Sequence, residues 1–307
     1  MKLKQRSKGV LLVVIATMLW GVSGTVAEFL FKEQGFNAEW LVDIRLLASG
    51  ILLLAYASYK KDTSVREIWT CKKDWISLFV FSILGVVGAQ YTYFACISYS
   101  NAATATILQY LNPVIITCFV TIRMKKLPNK TEMLAICLAI IGTGFIITKG
   151  DLHSLSISGM ALFWGILSAF ASAVYTLQPI SLLKKYSSIA VIGWGMLIGG
   201  ILFAFVRAPW QFTGTISPVS ILGVLFVVLF GTLIAFYCYL ESLNYIKPTE
   251  ASILGCIEPL SAAFLSVLWL KTPFGFFDFT GTACIIITIM ILSLTKNEAS
   301  LEPITQN

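Results

Sequence analysis

Residues 90–128 read QYTYFACISYSNAATATILQYLNPVIITCFVTIRMKKLP, and residues 236–274 echo them at a constant offset of 146. Tyr91 falls on Tyr237, Tyr93 on Tyr239, Tyr99 on Tyr245, Ala105 on Ala251, Ile107 on Ile253, Leu108 on Leu254, Pro113 on Pro259 and Lys125 on Lys271. A chain rich in leucine and isoleucine matches itself by chance at aliphatic positions. It does not readily put three tyrosines and a mid-segment proline into one ungapped register. The chain therefore reads as two related halves, 1–150 and 151–307, meeting near Asp151.

Composition sets the class. The 307 residues are 57% hydrophobic and 12% charged, with a mean hydropathy of +0.84. A soluble globule so built would lack the polar residues to cover its surface, so lipid is the expected surrounding. The net charge of +7 does not signal nucleic acid, because the basic residues sit in short clusters between apolar runs rather than along one stripe. The cysteines 71, 96, 118, 137, 238, 256 and 284 fall mostly singly within apolar segments, and His153 is the one histidine. Neither a disulfide framework nor a metal site follows, and no cofactor is expected.

The basic N-terminus, with Lys2, Lys4, Arg6 and Lys8 ahead of an apolar run, raises a signal peptide. An uncleaved first span is the simpler account, because the same apolar character recurs to Thr295. Runs of roughly 18 to 25 apolar residues cross about 30 Å of hydrocarbon as helices. Ten such runs are predicted, at 9–31, 38–59, 75–99, 102–123, 131–149, 157–179, 188–206, 219–244, 248–270 and 277–295. With both termini in the cytoplasm, seventeen of the 22 basic residues lie inside. Lys32, Lys149, Arg207 and Lys271 lie outside, and Arg45 lies within a span. That imbalance is the one the positive-inside rule requires.

Five spans per half is an odd number, so the halves lie in the membrane with opposite orientation. The fold expected is all-α and polytopic, ten transmembrane helices in two inverted five-helix repeats, an architecture suited to alternating access.

The proline-bearing segments LQYLNPVIITCF (108–119) and LGCIEPLSAAFL (254–265), Leu19-Trp20-Gly21, Arg45 and the glycine-rich Ile141-Gly142-Thr143-Gly144 together resemble the EamA family of the drug/metabolite transporter superfamily. The resemblance spans nearly the whole chain and rests on the order of these short motifs. It implies a ten-helix carrier of small metabolites such as amino acids or related compounds, with no particular solute. Where family members usually place a Gly-Glu pair after each proline-bearing span, this chain has Met124-Lys125 and Leu270-Lys271.

An ionisable side chain at bilayer depth costs roughly 2.5 to 3.5 kcal/mol on insertion scales, so it faces a bundle interior or a wet cavity. Glu28, Asp43, Arg45, Glu241 and Glu258 are in that position. Trp20, Gly21, Gly24 and Glu28 share a face of the first span, either a close helix contact or a cavity wall. Asp43 and Arg45, two apart, point to different sides, and a structural or gating part is expected for Arg45, as for Glu28. Gln90, Tyr93, Phe94 and Ile97 share a face of the third span, and Tyr237, Glu241 and Asn244 share one of the eighth. Brought together at the midplane, these stripes would form aromatic walls with an acid, suited to a cationic or zwitterionic solute. Pro113 and Pro259 each free a carbonyl, with Gln109, Asn112, Gly255 and Glu258 within a turn. Asn112 aligns with Glu258, so one depth offers an amide in one half and an acid in the other. A carboxyl in apolar surroundings is drawn to its neutral form, which makes Glu258 a candidate for proton coupling. From the sixth span, Tyr175 and Gln178 are expected at the passage ahead of Ser168 and Ser172, while the fifth and tenth spans serve as scaffold.

An enzyme would need convergent nucleophiles, bases or metal ligands, which the sequence does not offer. A flippase for a lipid-linked headgroup is the stronger competitor, because the same inverted repeat could pass a headgroup while the tail stays in lipid.

Overall fold

The computed structural model describes residues 2–123, 125, 128–151, 156–242, 245–246, 251 and 254–295. Among these residues the chain is helical, with no strand. The elements are α1 (Lys2–Lys32), α2 (Ala38–Tyr59), α3 (Lys72–Tyr99), α4 (Ala102–Gln109), α5 (Asn112–Arg123), α6 (Lys130–Thr148), α7 (Gly159–Leu177), α8 (Ser188–Phe203), α9 (218–242), α10 (Ile257–Leu268) and α11 (Phe276–Thr295). Helix covers each predicted apolar run, in part for the ninth. Among the described residues seven stretches are long and apolar enough to cross a membrane; Ser188–Phe203, Ile257–Leu268 and Phe276–Leu292 are shorter apolar helices. Of the residues considered above, Met124, His153, Asn244 and Ile253 lie outside the described residues.

The helix boundaries follow local chemistry. Asn101 caps α4 by accepting from Thr104 N at 2.8 Å, and Asn129 with Glu132 forms a reciprocal capping box at α6. Ser158, Ser187 and Ser217 do the same for α7, α8 and α9, and Pro218 occupies the first turn of α9, where its missing N–H costs nothing. Lys61, Lys125, Lys149 and Lys271 end helices in the left-handed conformation, with φ of 56°, 50°, 49° and 54°. A glycine takes that conformation without steric cost at a helix C-terminus.

Two features break regular α-helix, each at matching places in the two halves. Phe81–Val87 in α3 and Phe226–Ile234 in α9 are π-helical, and adding 146 to the first range lands inside the second. The fourth span, expected as one helix, is interrupted by a turn at Tyr110 and Leu111, and the ninth by a turn at Cys256. Each interruption opens three residues before a proline, because Pro113 and Pro259 have no N–H with which to continue the ladder.

Small residues set the close contacts, as expected where lipid removes the hydrophobic drive between helices. A Cβ on Gly142 would come within 2.9 Å of Gly281 O, and one on Gly281 within 2.6 Å of Gly142 O, so α6 and α11 touch backbone to backbone. At α2 and α8, Gly50 packs on Leu197 N and Gly200 on Leu47 N. Other extensive pairings include α1 with α9 and with α10, α3 with α7 and with α8, and α7 with α4 and α5.

Candidate functional site

The interruption at Cys256 and the one at Tyr110 face each other. A helix continuing through position 259 would give its N–H to Gly255 O; proline leaves that carbonyl open. The phenol of Tyr110 stands in for the missing donor, with Oη 2.8 Å from Gly255 O and 3.0 Å from Glu258 Oε2. Glu258 sits in the first turn of α10, a favourable end for a carboxylate, and its backbone carbonyl accepts from Ser261 Oγ at 2.9 Å. Gly21 of α1 lets this turn come close: a Cβ there would meet Glu258 O at 2.7 Å.

Aromatic and cationic groups surround this acid. Trp20 lies 5.2 Å from Phe236 and 5.3 Å from Tyr239, ring centroid to centroid. Tyr239, Tyr93, Tyr110 and Arg45 all interact electrostatically with Glu258, and Tyr175 with Arg45 and Tyr239. Arg45, 4% exposed, enters from α2. Its Nε donates to Thr232 Oγ1 at 2.9 Å, an Nη donates to Gly231 O at 3.4 Å, and its guanidinium lies 5.0 Å from the centre of the Phe94 ring. The π-helical stretch of α9 makes this docking site, since widening of the ladder there turns Thr232, itself bonded to Val227 O, toward α2. Arg45 is therefore held in the middle of a neighbouring helix. Asp43 points elsewhere and is fully buried.

The structure gathers some predicted residues and separates others. Trp20, Arg45, Tyr93, Tyr175, Glu258 and Pro259 belong to the central cluster. Gln109 and Pro113 flank the opposed interruption, and Asn112 there donates to Ser172 Oγ at 2.6 Å. Tyr93 is 8% exposed, and its hydroxyl is bonded to Thr106 at 2.8 Å. Gln90 is half-buried on α3. Glu28 is 1% exposed and joins three elements: Oε2 accepts from Ala102 N, at the start of α4, at 2.8 Å and from Ser266 Oγ at 3.3 Å, while Oε1 holds Lys32 at 2.9 Å.

Three others lie away from the cluster. Gln178 donates to Ser77 O at 2.8 Å near the start of α3. Tyr237 is 43% exposed, against Tyr56. Glu241 accepts from Tyr245 at 2.9 Å, and Tyr245 in turn accepts from Lys8 at 2.8 Å. On α9 the face turned inward therefore carries Tyr239 instead of Tyr237 and Glu241. The repeat already contained that signal, because Tyr239 is the counterpart of Tyr93, one face of the third span. Tyr110 gave no comparable signal, since its counterpart is Cys256.

At one end of the bundle, the loop before α3 is tied to the loop before α8. Asp74 pairs with Lys185 at 3.0 Å and accepts from Tyr186 at 2.9 Å, Ser187 donates to Asp62, and Trp194 Nε1 donates to Val65 O at 2.9 Å. Burial works against the Asp62 carboxylate, yet hydrogen bonds from Ser187 and Ser64 outweigh it and hold its pKa below the ordinary value. At the other end Trp40 Nε1 donates to Pro209 O at 2.7 Å, Thr215 N to Gln34 O at 2.8 Å, the rings of Phe36, Trp40 and Phe212 pack edge to face, and Lys149 pairs with Asp278 at 3.5 Å. A cavity of about 370 Å³ opens at this second end, lined by Lys32, Lys149 and Lys271 with Glu28, Glu33 and Asp278 among others. Among the described residues no group of His, Cys, Asp and Glu is placed to hold a metal ion.

Apolar helices packed through glycines around a buried acid, a guanidinium and aromatic rings define a polytopic membrane protein of the transporter kind. The model of the EamA-like transporter family matches residues 7–148 and again 159–294, and the chain belongs to that family. It is 39% identical over 287 residues to the inner membrane transporter YicL of Salmonella typhimurium, described as uncharacterized, covering 94% of this chain and 95% of that one. It is 26% identical to the uncharacterized transporter YetK of Bacillus subtilis, covering 84% and 78%. A solved crystal structure, 16% identical, superposes with a TM-score of 0.61 over 96% of this chain and 99% of that one.

Proposed function

We propose that this transporter is a carrier for a small polar metabolite, an amino acid or related amine, working by alternating access in the plasma (inner) membrane. In this reading residues 1–150 and 151–307 are inverted five-helix repeats, ten spans in all, with both termini cytoplasmic. Several findings support it. Exchanging each span for the one five later maps the larger of these contacts onto one another: α2 with α8 and α6 with α11 are self-paired, while α1 with α9 answers α7 with α3, and α1 with α10 answers α7 with α4 and α5. The two π-helical stretches and the two proline interruptions obey the same exchange. The distribution of basic residues along the sequence favours that orientation.

The observation that carries the reading is Glu258, facing Tyr110 from the other half beside a guanidinium and several aromatic rings. A carboxylate with aromatic neighbours suits an ammonium group, and Arg45 suits a carboxylate, so a zwitterion has a partner for each charge. Proton coupling through Glu258 belongs to the same reading. The test is flux into liposomes containing the purified protein, using labelled amino acids and amines. Saturable uptake that is competed by one solute class supports the carrier; uptake no faster than in protein-free liposomes for every class removes it.

A further inference from the structure

Tyr110 has one phenolic proton and two acceptors within hydrogen-bond distance, Gly255 O at 2.8 Å and Glu258 Oε2 at 3.0 Å. A single O–H cannot point along both. Both contacts are satisfied at once when Glu258 carries a proton. The carboxylic acid then donates to Tyr110 Oη, and Tyr110 donates to Gly255 O. Resting on the carrier reading above, we infer that Tyr110 is a positioning residue that makes proton binding and amine binding at Glu258 mutually exclusive.

When the O–H bond of the Glu258 acid breaks, its proton leaves to water in the open passage and the electron pair stays on the carboxylate. Tyr110 then turns its O–H to the charged oxygen, the stronger of its two possible bonds. That leaves the Gly255 carbonyl, already without a helical donor because of Pro259, bare in a low-dielectric site. The site then presents a negative charge and an open carbonyl side by side. A primary ammonium, with a positive charge and several N–H donors, fits both; a quaternary ammonium has no donor for the carbonyl. Departure of the amine leaves the carboxylate to take up a proton again, which restores the original pair of bonds. No oxidant or further reactant enters.

The charged and titratable groups that face Glu258 are compatible with this exchange. Arg45 from α2 moderates the negative charge while the site is empty, and Tyr93 from α3 and Tyr239 from α9 are neutral phenols at neutral pH. On α1 the neighbouring acid, Glu28, is already bonded to Lys32 and to Ala102 N. Cys256 on the same segment is buried.

Infrared difference spectroscopy of the full chain in nanodiscs tests this without knowledge of the natural solute. A carbonyl band of a protonated carboxylic acid is expected at neutral pH, absent in Glu258→Gln. Methylammonium should bleach it and tetramethylammonium should not. Tyr110→Phe should retain the band but move its frequency, and the pH at which it is lost, by about half a unit or more, and should weaken the preference for methylammonium. Tyr237→Phe, half-exposed on α9 against Tyr56 and away from Glu258, should leave it unchanged. The absence of a band removed by E258Q, a band indifferent to Y110F in a variant that melts normally, or equal bleaching by both cations would overturn the inference. Each of these can occur while liposome flux remains intact, so the carrier reading stands or falls separately.

Discussion

The two proline interruptions make the instructive contrast. They lie 146 residues apart and share a turn three residues ahead of the proline and a polar side chain just before it. In the first half that side chain is Asn112, whose amide is tied off by Ser172 of α7. In the second it is Glu258, whose carboxyl shares a phenol with an open carbonyl. The backbone device is the same, and the chemistry differs by one functional group. A neutral amide with a fixed partner serves as structure, while an acid with a partner that can turn is able to change state.

Glu258→Gln should break this contrast most severely, since it makes the two interruptions alike. Loss of a charge-assisted bond to an ammonium is worth roughly 1.5 to 3 kcal/mol, so amine binding should weaken about tenfold or more and lose its pH dependence. Titration calorimetry across a pH series measures both. Next is Tyr110→Phe, which leaves the acid but removes its phenol partner: about one hydrogen bond, roughly fivefold in affinity, with a pH profile displaced by about half a unit or more and a small change in melting temperature.

In the first half, Ser172→Ala should cost about 1 kcal/mol by leaving the Asn112 amide without its partner. It should lower the thermal midpoint and leave the pH profile alone. A pH profile as altered as that of Y110F would mean that the halves are not divided into structure and chemistry. Asp62→Asn, in the loop tie far from either interruption, serves as a control. Because the Asp62 pKa is depressed on folding, its contribution is present above the unfolded carboxylate value and is lost as pH falls through the folded value. The variant should therefore be destabilised at neutral pH and indistinguishable from wild type in strong acid, read by scanning fluorimetry. The smallest effects belong to Lys125→Gly and Lys271→Gly. Each relieves a left-handed lysine at a helix end and should stabilise by about 0.5 to 1 kcal/mol, alike in the two halves.

Much of this contrast was legible in the sequence. The register that aligned Pro113 with Pro259 also set Asn112 opposite Glu258, and the helix limits of α2 agree with the apolar run that predicted them. What escaped depended on three-dimensional neighbours. The choice of Tyr239 over Tyr237 on α9 is a matter of helix rotation, and the π-helical stretch there shifts the phase that a regular 3.6-residue period would assign. Gln178 and Glu241 look like site residues by polarity alone, but each finds a partner near an end of its helix, in Ser77 and in Tyr245. Tyr110 was invisible because its importance comes from a carbonyl that a proline in the other half left open.

The most direct measurement uses liposomes loaded with a pH-sensitive dye, to which a panel of amines and amino acids is added from outside. The account predicts that at least one solute drives a saturable change in internal pH with wild-type protein, and that E258Q carries no such proton movement with that solute. Solute entry with no proton movement in wild type, or the same proton movement in E258Q, would contradict it.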